Sequence, residues 1–157
     1  MFRTPKAVIK AVERAEGSDR VSGRVAVTRT WSVTLPGEFQ RILEHGTLRF
    51  SKRSINVRVT AYANPHSDPQ SMLDELGDAV PANASFVKRS EHDDGSRWLI
   101  YEARERAGSF IGIALGSRTV LYGHGLLGTE YVGLEISVRD RAGLGDAYAI
   151  VASCGRG

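Results

Sequence analysis

The sequence predicts an α+β fold: an antiparallel β-sheet meander flanked by two or three helices, in an arrangement like an α/β/α sandwich. Three observations lead there. Segments such as "INVRVTAYA" and "TEYVGLEISV" alternate apolar and polar residues with the period of two expected of half-buried strands. These segments come in runs separated by Gly, Asp and Ser, instead of alternating one by one with helices, which favours antiparallel pairing. At three places the period lengthens toward that of a helix: residues 5–17, 68–81 and 146–154.

In the first of these, Thr4 is placed to cap, Pro5 suits a first turn, Ala7, Val8, Val12 and Ala15 share a side, and Gly17 ends the element. The polar, turn-rich "SDRVSG" reads as a linker, so residues 1–23 are expected to form a helical arm and linker, and residues 24–157 a single α+β domain. The stretch "RVAVTRTWSVTL" reads as a strand halted by Pro36-Gly37. After it come "EFQRILEHG", with His45 in an exposed turn, "TLRFS", a turn around residues 52–54, and "INVRVTAYA".

The second helix is the best marked. Ser67 or Asp68 can cap it, Pro69 occupies its first turn, Met72, Leu73 and Leu76 share one face, and Gly77 and Pro81 bound its end. Strands "SFVKRSE" and "RWLIYEARE" follow, joined at "HDDGS", where Asp94-Gly95 signals a type I′ or related hairpin turn. "SFIGIALG", "SRTVLYG" and "TEYVGLEISV" continue the meander, and residues 146–154 fit a short helix or a strand.

Function is less legible. Composition is that of an ordinary globular protein, 41% hydrophobic and 25% charged. The single cysteine, Cys154, makes neither an internal disulfide nor a zinc site, so a reducing, cytoplasmic setting is expected. The longest apolar run near the N-terminus, residues 7–9, is too short for a signal peptide, and charges interrupt every run that could span a membrane. Residues 1–60 hold 12 Lys/Arg against 5 Asp/Glu, while the rest hold 9 against 13. That basic half, with Arg49, Lys52, Arg53 and Arg58, raises nucleic-acid binding, but its charges are scattered along strand-like segments and no recognition motif accompanies them, so nucleic acid is disfavoured as a partner.

Gly123, Gly125 and Gly128 match G-x-G-x-x-G. A dinucleotide fingerprint needs a helix after the glycines to receive the pyrophosphate, and "TEYVGLEISV" is strand-like, so the glycines read as a hairpin bend. No nucleophile elbow accompanies His124-Gly125. His92, Asp93 and Asp94 lack the spacing of a hard-cation loop, the same holds for His66, Asp68 and Asp74, and Cys154 reads as an inert buried thiol. No catalytic residue, metal ligand or cofactor is assigned. Trp98, Tyr101, Phe110, Tyr122 and His124 are the candidate binding residues, as aromatics on successive strands that could share an open sheet face.

From Trp31 onward the order of "WSVTLPGEFQ", "INVRVTAYA", "DPQSMLDELGDAV", "SFVKRSE", "RWLIYEARERAGSFIGIALGSRTVLYG" and "GDAYAIVASC" resembles the PsbP-like superfamily, which includes DcrB-like proteins and cytoplasmic adaptor chaperones of type VI secretion effectors. The resemblance covers residues 24–154 and implies an α/β/α sandwich with a binding or adaptor role and no catalytic machinery. Its cytoplasmic adaptor branch is the one that fits this N-terminus. The expected function is therefore protein binding, with another protein or a second copy of the chain as partner. The alternative is a small enzyme with a site near His124 or His92.

Overall fold

The computed structural model describes residues 17–63, 68–106, 109–110, 113–114 and 117–157. The helix expected over residues 5–17 falls outside this set except for Gly17, which opens a strand. Four strands come first: β1 (Gly17–Ala26), β2 (Trp31–Glu44), β3 (Thr47–Lys52) and β4 (Ile55–Ala63). Helix α1 (Pro69–Asp78) separates them from β5 (Ser85–Glu91), β6 (Arg97–Arg106), the two-residue pair β7 (Ser109–Phe110) and β8 (Ile113–Ala114), β9 (Ser117–Leu127) and β10 (Glu130–Val138). A 3-10 turn at Arg141–Gly143, helix α2 (Leu144–Ser153) and the short β11 (Gly155–Arg156) close the chain.

One antiparallel sheet dominates, in the order β1-β2-β3-β4-β10-β9-β6-β5, with β11 added beside β2. Strands β4 and β10 join its two meanders, Val57 facing Ile136 and Tyr62 facing Tyr131. This corrects the expected α/β/α sandwich, and with it the fold implied by the resemblance. Eight adjacent strands about 4.8 Å apart span roughly 34 Å, whereas each ten-residue helix is only about 15 Å long. Two such helices cannot form layers over that sheet; the sheet instead bends over itself, bringing the Trp31 ring of β2 to 6.0 Å from the Trp98 ring of β6, five positions away in the strand order.

The bend arises where the sequence suggested a stop. Strand β2 runs straight through Pro36-Gly37, and the pairing with β1 jumps from Val21↔Phe39 to Gly23↔Leu35. Extra residues on one strand bulge and bend it, a bulge tolerates the missing proline N–H, and Gly37 takes φ 101° there. Val33 and Leu35 before the bulge and Phe39 and Leu43 after it therefore enter the same core. That core also takes Trp31, Trp98, Val57, Leu134, Ile136 and, from α2, Ala147, Ile150 and Val151. Residues 146–153 are thus helix, which settles the ambiguity at the C-terminus.

Two further readings change. The segment taken as a linker belongs to β1, whose partner residues Arg20↔Gln40 and Asp19↔Arg41 continue the sheet. The single strand expected over residues 24–35 is a hairpin instead: the Thr28 Oγ1 accepts from the backbone N–H groups of Thr30 and Trp31, and Val27 N–H donates to the Trp31 carbonyl. A threonine that satisfies turn amides in this way competes with strand pairing.

Elsewhere the local chemistry agrees with the reading. Asp68 caps α1 by accepting from Ser71 N–H at 3.1 Å, Pro69 starts it, and Met72 and Leu73 are buried. His45 and Gly46 form the β2–β3 hairpin turn with φ 51° and 76°. Two successive positive φ values mark a I′ turn, for which Asn-Gly is the preferred pair. His45→Asn is expected to raise stability by about 0.5 kcal/mol, measurable by urea denaturation; a loss of stability would count against this turn geometry.

Candidate functional site

Because side chains alternate across a sheet, register decides which residues meet. On the face opposite α2, α1 packs Met72 and Leu73 onto Tyr62, Leu99, Tyr101, Leu126 and Tyr131. Beside that cluster the sheet face stays open. Neighbouring rows across β4, β10, β9 and β6 read Thr60–Gly133–His124–Leu99 and Arg58–Glu135–Tyr122–Tyr101. The β4, β10 and β9 members of these rows floor a depression of about 230 Å³ lined by Arg58, Thr60, Tyr122, His124, Tyr131 and Glu135 among others.

The aromatic rings stack as a continuous set. Ring centroids lie 4.8 Å apart for Tyr62–Tyr131, 5.9 Å for His124–Tyr131, 6.5 Å for Tyr122–His124 and 5.0 Å for Tyr101–Tyr122. The His124 Nδ1 is 2.7 Å from the Tyr131 hydroxyl, and the Tyr122 hydroxyl donates to Glu105. Gly133 makes the first contact feasible, since a Cβ there would collide with the Tyr131 hydroxyl folded over it.

Burial governs the electrostatics of this face. It pulls the His124 imidazole down to about 4, so the ring is neutral at physiological pH. Burial likewise raises the phenols of Tyr62, Tyr101, Tyr122 and Tyr131, with the Glu105 hydrogen bond adding to the effect at Tyr122. The face therefore offers neutral rings with hydrogen-bonding edges, bordered by the cross-strand neighbours Arg58 and Glu135 and by the Glu105 carboxylate.

Of the candidates named from sequence, Tyr101, Tyr122 and His124 come together here. Trp98 lies on the other face, with 0% exposure, 6.0 Å edge-to-face from Trp31 and its Nε1 donating to Ser96 Oγ. Phe110 sits in β7, and its side chain lies outside the described residues. Tyr62, Tyr131, Thr60 and Gly133 were missed. His92 is stacked on Trp98 at 5.0 Å and its Nδ1 meets the Cys154 carbonyl at 3.1 Å, so it joins the turn to the C-terminus. Asp94 serves the same junction by accepting from Ser96 and from Arg156 N–H. The Asp94-Gly95 hairpin turn is the related form: His92 N–H donates to the Ser96 carbonyl around a three-residue loop, residues 93–95, in which only Gly95 takes positive φ, a type I turn with a following left-handed residue.

The glycine motif is part of a hairpin, as the sequence suggests, but its bend is displaced. Leu127 pairs with Glu130, so Gly128-Thr129 alone makes the turn, with Gly128 at φ 60°. Gly123 and Gly125 lie inside β9, where a Cβ would meet Val151 at 3.0 Å and the Trp98 ring at 2.5 Å. The basic residues Arg49, Lys52, Arg53 and Arg58 do not form one stripe: Arg49 and Arg58 are cross-strand neighbours, whereas Lys52 turns back onto the Phe39 ring and the Pro36 carbonyl.

No protein-family model matches the chain, and no curated protein matches it. Among solved structures it is similar to a crystal structure from Bacteroides thetaiotaomicron VPI-5482, with a TM-score of 0.61 and 14% identity over 87% of this chain and 49% of that one. The chain thus spans about half the length of that neighbour, and at this identity the likeness is one of fold alone. Among the described residues no helix is long and apolar enough to cross a membrane.

Proposed function

We propose that this chain is a binding protein without catalytic machinery that presents the tyrosine-lined half of its sheet face to another polypeptide. The observation that carries the reading is the run of rings Tyr62–Tyr131–His124–Tyr122–Tyr101, whose Tyr62, Tyr131 and Tyr101 members are buried in the α1 cluster while His124 and Tyr122 between them are only half-buried. Rigid amphipathic rings supply contact area and hydrogen bonds at small entropic cost, which is why tyrosine is enriched at protein interfaces. At about 230 Å³ the depression is smaller than the roughly 300–1,000 Å³ usual for whole small-molecule ligands. It suits one or two side chains of a larger partner. The lone, buried Cys154, whose thiol burial pushes up, is compatible with a cytoplasmic setting.

The test compares wild type with Tyr122→Ala as bait for proteins from the native cell lysate at high salt, followed by affinity measurement on the purified partner. A partner that binds wild type and loses about tenfold affinity or more for Tyr122→Ala supports the reading, as expected of an interface tyrosine. Equal binding by both baits, or no specific partner, overturns it.

A further inference from the structure

We infer that one end of the same sheet face carries a site for a tetrahedral oxyanion, a phosphoryl group above all. The β3–β4 turn, the start of β9 and the end of β10 converge there, and Arg53, Arg118 and Arg139 line a depression of about 140 Å³ together with Ser51, Asn56 and Ser137. Register builds its floor: Ser137 pairs with Asn56, and Asn56 with Ser51. Above this floor the Arg139 N–H donates to the Ser54 carbonyl at 3.1 Å, which ties the end of β10 to the turn bearing Arg53. Thr119 pairs with Val138, and that register sets Arg118 beside Arg139.

Three observations select an anion. The lining holds three arginines and no carboxylate. Among the described residues no carboxylate stands within 4.0 Å of Arg53 or Arg139, so their guanidinium groups are uncommitted. Arg118 is engaged by Glu105 through Nη2 at 3.7 Å, yet its Nε is buried and has no acceptor among the described residues. A buried N–H without an acceptor costs stability until one arrives, and a forked cation donates best to a carboxylate or phosphate edge. The serine hydroxyls and the Asn56 amide add neutral donors of the kind that complete an oxyanion's shell.

Size narrows the ligand further. A volume of about 140 Å³ is well under that of a whole-ligand pocket and accommodates a single functional group. The phosphoryl group arrives either as a free ion or on a polypeptide. This site does not depend on the tyrosine-lined surface being a docking face.

The experiment follows the melting temperature of the full chain through a titration with inorganic phosphate, against sodium chloride at matched ionic strength. The same titration is run on the double variant Arg53→Gln/Arg139→Gln, whose changed side chains are solvent-exposed and remove no hydrogen bond or ion pair among the described residues. A saturable rise with phosphate beyond that with chloride, weakened about tenfold or more in the double variant, is the expected result. A response no larger than chloride's, or one the double variant reproduces, overturns the inference. A parallel arm with a phosphoserine peptide and its unphosphorylated form assigns the source. Tighter binding of the phosphopeptide than of phosphate assigns the group to a polypeptide, and equal binding assigns it to the free ion; both support the site.

Discussion

Trp98→Ala is expected to lower the unfolding free energy by about 3–5 kcal/mol, the cost of emptying a fully buried large aromatic site. The physical basis is specific. Trp98 has 0% exposure, meets Trp31 edge to face, stacks under His92 and satisfies its Nε1 on Ser96. It also lies flat against Gly125, where a Cβ would stand 2.5 Å from the ring. Gly125→Ala should therefore cost about 1–3 kcal/mol by overpacking. Because both changes act on one contact, the pair should be non-additive: Trp98→Ala frees the space that the added methyl group needs, and the double-mutant cycle should show a coupling of about 1 kcal/mol or more. Urea unfolding of the four proteins measures this. Additive costs would mean that ring and glycine do not touch, and a Trp98→Ala variant as stable as wild type would return Trp98 to the surface, where sequence reasoning had placed it.

That glycine shows where sequence reasoning reached its limit. The motif Gly123, Gly125, Gly128 was legible as a hairpin because a strand-like segment follows it, but only Gly128 is needed for backbone conformation. The other two are there for what lies above them, and packing partners brought from β6 and α2 leave no trace in the local pattern. Strands β4 and β10 were readable because Ile55, Val57 and Val59, and Leu134, Ile136 and Val138, enter the core at every second position with Asn56, Arg58, Glu135 and Ser137 between them. Helix α1 was readable because its cap and first-turn proline are local. Strand β1 was not, since it is an edge strand with Ser18, Asp19, Arg20 and Gly23 in place of an apolar stripe. The site could have been sharpened from sequence. Once the turn is placed at Gly128-Thr129, counting back sets His124 opposite Gly133 and Tyr122 opposite Glu135. Placing the bend across all three glycines destroyed that register, and with it the meeting of His124 and Tyr131.

Acidification is expected to weaken the fold through His124. Burial holds its folded-state value near 4, while an unfolded histidine titrates near 6.5. Between these values the unfolded chain binds the proton and the folded chain does not, so stability falls as pH drops. Above about 6.5 the contribution is fully present; it is lost progressively toward 4. Integrating that difference from pH 7 to pH 5 gives a loss on the order of 2 kcal/mol. His124→Gln keeps a polar group beside the Tyr131 hydroxyl and removes the titration, so its stability should change less over the same interval by about that amount. Guanidinium unfolding of both proteins at pH 7 and pH 5 reads the difference. Parallel losses would place His124 in solvent. A loss confined to the wild type would establish that the imidazole enters the tyrosine face uncharged, which leaves the charge beside that face to Arg58, Glu135 and the Glu105 carboxylate that accepts from Tyr122.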